Sequence, residues 1–205
     1  MKEQDVARSV AVIEQYEEFK FLFQLARLLA RGEAVTVEEL AAAGGWLVEE
    51  VRGGLQGHPS VEWDEAGRIV GFGLTLRPTP HRFRFNGRTV YGWCASDALM
   101  FPVMLGKAGI VHSTCPATGE PVRVELAPDR VVSVDPPGAV VSEVRPSERV
   151  GDVRADICGL GHFFSSREAA APWLEQHPQG QVNSVEYDFD LHKEVLARMG
   201  WRAEP

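Results

Sequence analysis

Up to Gly32 the apolar residues return at helical spacing. Val6, Val10 and Ile13 step round one face, and Phe19, Leu22, Phe23, Leu25, Ala26 and Leu29 continue the stripe. Gly32 is the expected stop. Thr36, followed three positions later by Glu39, predicts a capping box at the start of a short helix, which Gly44-Gly45 ends. "WLVEEVRGGLQ" then predicts another helix. In "SVEWDEAGRIVGFGLTL" the pattern changes to alternation: Val61 and Trp63 alternate with charge, Asp64–Gly67 is a turn, and Ile69–Leu76 is the return strand.

Helix, helix, hairpin is the order of a winged helix-turn-helix. Its second helix would be the recognition helix, but it carries Glu49 and Glu50 against one Arg52. An acidic face argues for a module that packs on the rest of the chain rather than one that binds DNA. "LRPTPHR" (76–82) has the two prolines of a linker. Beyond it, "HRFRFNGRTVYGWC" alternates about Asn86-Gly87, the preferred dipeptide of a type I′ hairpin. Short strands separated by Pro/Gly turns fill 109–146, "SREAAAPWLEQHPQG" reads as a helix, and "DLHKEVLARMG" reads as a C-terminal helix. The fold class is therefore α+β. Residues 1–80 are expected to form a winged-helix-like, structural helical module, and residues 81–205 a mainly antiparallel-sheet catalytic domain with flanking helices.

Composition narrows the function. A net charge of −8 speaks against tight nucleic-acid binding. No apolar run reaches the ~20 residues that cross a bilayer. "MKEQDVARSV" has no signal-peptide core, so a cytoplasmic protein with no membrane partner is expected. Three cysteines cannot all pair as disulfides, and in a reducing compartment they stay available as ligands or nucleophiles.

Those cysteines are Cys94, Cys115 and Cys158. His112 with Cys115 and Cys158 with His162 make H-x2-C and C-x3-H pairs, which together are a candidate zinc set. Against it, residues at x2 spacing on a strand face opposite sides, and Cys115 reads better as a small buried hydrophobe. Cys94 lies three residues before Asp97, ahead of the apolar run "ALMFPVMLG". Ser96 is the expected N-cap of a helix starting near Asp97, and Pro102 implies a later start or a kink. A helix N-terminus favours the Cys94 thiolate, and the Asp97 charge opposes it. Desolvation raises the Asp97 pKa, which suits it to shuttling a proton; as a bland alternative it only caps the first helical turn. Cys158 precedes Gly159 and Gly161, either reachable by a small molecule or one more core thiol.

"YGWCASDALMFPVMLG", then "CPATGEPV", then "ADICGLGHFFSS" followed by Trp173, resembles the organomercurial (alkylmercury) lyase family in order and spacing. The module ending in "GRIVGFGLTL" resembles that family's first domain, so the likeness runs from about Phe19 to Trp173. The resemblance implies protonolysis of a carbon–mercury bond in mercury detoxification. Cys94 and Cys158 would be the thiol pair, Asp97 the proton carrier and Cys115 a buried structural cysteine. It implies no required cofactor. Hg(II) would be a product held by Cys94, Cys158 and Asp97, with small external thiols for turnover and mercuric reductase as the partner taking Hg(II). Leu99, Met100, Phe101 and Phe163 would form the apolar wall for the organic group. One departure stands out: family members carry a second cysteine where this chain has Gly159. Two other readings stay open at this level. One is a metal-binding or metal-sensing transcriptional regulator; the other is a lyase-like paralogue that acts on another organometal or binds copper.

Overall fold

A computed structural model describes residues 2–201. The predicted N-terminal helix is divided. Helix α1 (Lys2–Ile13) is followed by a 3-10 turn (Glu17–Phe21) and helix α2 (Leu22–Leu29). Tertiary contacts cause the break: the Tyr16 hydroxyl accepts from the Val150 amide at 2.7 Å, and the buried Glu18 meets His58 Nε2 at 2.6 Å. A straight helix would hold neither. The chain turns at Gly32, whose φ is 89°.

Helix α3 (Val37–Gly44) starts in the expected capping box. Thr36 Oγ1 accepts from the Glu39 amide, and Glu39 Oε2 accepts from the Thr36 amide at 2.8 Å. Gly45, left-handed at φ 72°, ends it before helix α4 (Val48–Leu55). The hairpin follows as β1 (Glu62–Trp63) and β2 (Ile69–Phe72). Two details differ from expectation. In β1 the buried residue is Glu62, while Trp63 is only half-buried. The return strand also stops at Gly73, where φ is 72°, and the chain doubles back as β3 (Leu74–Thr75). Only a residue without Cβ strain takes that left-handed turn readily.

Strand β4 (His81–Phe85) alternates buried and exposed residues and joins β5 (Arg88–Gly92) through Asn86 (φ 46°) and Gly87 (φ 75°), the two positive angles of a type I′ turn. Then come helix α5 (Ala95–Leu105), β6 (Gly109–Thr114), β7 (Pro121–Leu126), β8 (Val131–Asp135) and β9 (Val140–Val144). Helix α6 (Val153–Asp156), a 3-10 turn (Cys158–Leu160), β10 (Phe163–Phe164), α7 (Arg167–Gln176), β11 (Gly180–Ser184) and α8 (Val185–Arg198) complete the chain. Helix α8 begins before the expected "DLHKEV", because Ser184 caps it by accepting from the Tyr187 amide at 3.2 Å.

Eight strands form one antiparallel sheet in the order β1-β2-β3-β5-β4-β6-β7-β8, and β10-β9-β11 form a second. The hairpin of the N-terminal segment therefore continues into the second half through the β3–β5 pair. One apolar core runs from Leu25, Leu40 and Val51 to Phe83, Leu99 and Val111. Helices α1 and α8 meet through Val6, Leu191 and Val195. No helix among the described residues is long and apolar enough to cross a membrane.

Candidate functional site

Strand β5 delivers Cys94 to the head of α5. The N-cap is Cys94 itself rather than Ser96. Its Sγ accepts from the Asp97 amide at 3.3 Å, and Asp97 Oδ2 accepts from the Cys94 amide at 3.2 Å. This is a capping box in which the thiol stands where a serine hydroxyl would. Pro102 lies within the helix, which runs through it to Gly106. Two glycines permit the close packing here. A Cβ on Gly92 would stand 2.9 Å from the Ala98 amide nitrogen, and one on Gly161 would stand 2.8 Å from Cys94 Cβ. The Gly161 carbonyl accepts from the Ala95 amide at 3.1 Å, which ties the Cys158 turn to α5.

Cys94, Asp97 and Cys158 are thereby brought together, each offering a ligand atom, with those atoms all within 4.8 Å of one another. A metal bonded to two sulfurs at about 2.3 Å, the zinc–sulfur length, spans up to ~4.6 Å, close to that limit, so little movement is needed for both thiols to hold one soft cation. All three cysteines are free and buried. Cys115 is 0% exposed, as expected of a core residue. Burial pushes its thiol up, but hydrogen bonds from Thr118 and Ser165 outweigh that and bring it down to about 7. His112, Cys115 and His162 do not join a ligand cluster among the described residues, so the zinc set does not assemble.

The electrostatics differ from the expected thiolate. The Cys94 pKa is raised well above the ordinary thiol value by its hydrogen bond with Cys158, by burial and by the Asp97 charge, and these outweigh the helix terminus. In Cys158 the Cys94 hydrogen bond works in the opposite direction; burial and Asp97 still leave the thiol raised. Burial raises Asp97, and hydrogen bonds from Cys94 and the charge of His192 offset part of this. The resting site thus holds its thiol protons, and a metal that binds must displace them.

The site opens into a cavity of about 200 Å³ whose walls are almost wholly apolar. Its composition corrects the expected wall. Met100 lines it, but Leu99, Phe101 and Phe163 point into the core and are at most 1% exposed. Phe19, Leu22, Phe72 and Trp93 take their place, three of them from the N-terminal segment. Gly73 explains how that segment reaches the site: a Cβ there would lie 3.6 Å from Asp97 Oδ1. Sequence reasoning also missed Glu62. It is 6% exposed, pairs with Arg154, and accepts from Trp93 Nε1 at 3.2 Å. Arg154 stacks 5.0 Å over the Trp93 ring, and its charge partly offsets the rise at Cys158. The available signal was a glutamate at an alternating-strand position next to an unbroken apolar return strand. A second cluster, Glu143, Asp188 and His192, stands beside the thiol site: Glu143 and His192 line the same cavity, Asp188 is buried behind them, and the His192 charge is felt at Asp97.

The chain resembles known proteins along most of its length. A family model described as alkylmercury lyase matches residues 74–197, and one described as the helix-turn-helix domain of alkylmercury lyase matches residues 14–73. The alkylmercury lyase of Bacillus cereus is 51% identical over 176 residues, covering 85% of this chain and 80% of the relative. That of Staphylococcus epidermidis is 51% identical over 180 residues, covering 87% and 83%. That of Pseudomonas putida is 42% identical over 187 residues, covering 91% and 88%. A crystal structure described as the mercury-bound form of MerB2 superposes with a TM-score of 0.76 at 26% identity, covering 93% of this chain and 96% of that one. With two thiols and a buried carboxyl meeting beside an apolar cavity, and with both family models and relatives matching along most of its length, this chain belongs to the alkylmercury lyase family.

Proposed function

We propose that this chain is an organomercurial lyase that cleaves carbon–mercury bonds by protonolysis, with Cys94, Cys158 and Asp97 as the reacting groups. The observation that carries the residue assignment is the meeting of both sulfurs and the carboxylate within 4.8 Å. An organomercury thiolate, R–Hg–SR′, exchanges its thiolate for Cys94, whose proton passes to Asp97. Cys158 adds as a second thiolate, and the proton it gives up leaves with the displaced thiolate as R′SH. Added electron density weakens the carbon–mercury bond and makes the carbon basic, and Asp97 delivers its proton there. The products are the hydrocarbon RH and Hg(II) held by Cys94 and Cys158, with Asp97 as a further oxygen ligand.

The apolar cavity favours this course because it excludes water that would compete for the proton and would solvate the carboxylate. The scheme needs no resident cofactor, since mercury is the substrate's own metal. External thiols free the Hg(II), and handoff to a mercuric reductase fits a product held by exchangeable sulfurs. Gly159 leaves this chain without a third thiol beside Cys158. Hg(II) therefore leaves directly from the Cys94–Cys158 pair.

The N-terminal module of residues 1–80 serves structure and substrate binding in this scheme. Phe19, Leu22 and Phe72 face the organic group, and α4 keeps Glu49 and Glu50 in its first turn. No observation favours the regulator, or another organometal, over the lyase. The test is to incubate the protein with an alkylmercury salt and excess thiol and assay the headspace for hydrocarbon. Hydrocarbon release that is lost in both Cys94→Ser and Cys158→Ser supports the proposal. Metal retention without hydrocarbon would sink it.

A further inference from the structure

We propose that His192 is a catalytic acid that protonates the thiolate displaced from mercury as Cys94 takes up the substrate. The inference rests on the mechanism just given and adds a second proton donor to it. Mercury capture displaces two thiol protons, from Cys94 and Cys158, and they end on the carbon and on the leaving thiolate. Asp97 can hold only one of them at a time.

His192 faces the same cavity as the thiols. Its Nδ1 donates to the Asp188 backbone carbonyl at 2.9 Å and lies 3.3 Å from Asp188 Oδ2. A carbonyl only accepts, so Nδ1 carries a hydrogen. Nε2 has no protein hydrogen bond among the described residues, and since Nδ1 is engaged by Asp188 it is the nitrogen left to act in the cavity that His192 lines. Behind the ring, Asp188 is 0% exposed, and among the described residues neither of its oxygens has a hydrogen-bond partner. Its charge acts on the imidazole and also on the neighbouring Arg145. Burial alone would strip the ring of its proton; Asp188 and Glu143 outweigh burial and hold it up to about 9. That is close to a leaving thiol at about 8.5.

The other charged groups around the ring are accounted for. Arg145 pairs with Glu143 and with Asp5, and Arg8 from α1 donates to the Arg145 carbonyl. Tyr187 donates to Asp5, and Asp97 faces the ring's charge from α5. Arg145 already satisfies Glu143, so the Glu143–Asp188–His192 cluster works as a charge relay to the ring rather than as a cation site.

The step balances. The Cys94 sulfur–mercury bond forms and the Cys94 proton goes to Asp97. The mercury–SR′ bond breaks, and R′S⁻ takes the Nε2 proton and leaves as R′SH. The proton displaced when Cys158 binds mercury restores the imidazolium, and Asp97 protonates the carbon.

The experiment measures single-turnover uptake of one organomercury group carried either on an alkyl thiol or on the much more acidic thionitrobenzoate. Rapid quench and intact mass give the adduct, and rates are normalised to the protein that titrates with Hg(II). His192→Gln should slow uptake from the alkyl thiol by roughly 100-fold, within the usual range for a lost general acid. Uptake from thionitrobenzoate should stay near wild type, because that leaving group needs no proton. Asp188→Asn keeps the imidazole but removes its chief counter-charge, and should show the alkyl-thiol defect only as the pH is raised. Equal slowing with both leaving groups, or no slowing with either, would overturn the role of His192 alone. Adduct formation by Cys94→Ser would overturn the mechanism beneath it as well.

Discussion

Asp97 is a structural residue and, in the proposed mechanism, a chemical one. Its amide and carboxylate close the cap on Cys94, and its buried carboxyl has a raised proton affinity. Asp97→Asn preserves size and much of the cap but cannot carry a proton. It should keep Hg(II) binding and lose at least 100-fold in turnover, on the order of a lost general acid; mercury titration and headspace hydrocarbon separate the two effects. His81 offers a test of stability. It is 2% exposed, and its Nδ1 lies 3.0 Å from Ser113 Oγ. Burial, aided by the charge of His162, lowers its pKa from 6.5 to about 3. The unfolded chain therefore binds a proton below pH 6.5 that the native state refuses, so the stability due to neutral His81 is present above 6.5 and falls on acidification towards 3. His81→Gln should flatten the decline between pH 6 and 5 by up to ~1.4 kcal/mol per pH unit, as read by urea unfolding. The pairing of Cys94 with Asp97 was legible in the sequence because it is local. The rise at Asp97 was legible too, from its apolar neighbours; the rise at Cys94 was not, because it comes from Cys158, far along the chain, and from burial.

At the scale of elements, the head of α5 depends on sulfur acting as a cap. Serine caps helices well and alanine poorly, the difference being about 1 kcal/mol. Cys94→Ser should therefore lose activity yet match or exceed the wild type in thermal stability, while Cys94→Ala melts lower. If the two variants melt together, the cap contributes nothing. The patterned elements were readable for plain reasons. Thr36 and Glu39 cap α3 within one turn, and Asn86-Gly87 takes the positive φ angles of a tight hairpin. The divided first helix was not readable. Its apolar stripe is continuous in sequence, and tertiary contacts such as Tyr16–Val150 and Glu18–His58 hold the bend. Glu62 was misplaced for the same reason: its partners Arg154 and Trp93 are remote in sequence and make an inward carboxylate tolerable.

At the scale of the whole molecule, the cavity is closed by the segment that reads as a helix-turn-helix. Phe19 lines it and stacks edge-on against Phe72 at 5.4 Å. Phe19→Ala should raise KM for an arylmercury by roughly 5- to 30-fold, the equivalent of about 1–2 kcal/mol of lost apolar contact. Hg(II) affinity should not change, because the thiols are untouched; steady-state kinetics beside mercury titration would show whether that split holds. By itself the sequence determined the α+β class, the local caps and turns, and the two motifs that carry the thiols, because each depends on residues within one or two turns of the chain. Only the tertiary structure decided that Cys94 and Cys158 lie close together, that their protons stay on at rest, and that the N-terminal segment supplies part of the cavity wall. Those properties depend on desolvation and on packing between distant segments, which no local pattern of residues encodes.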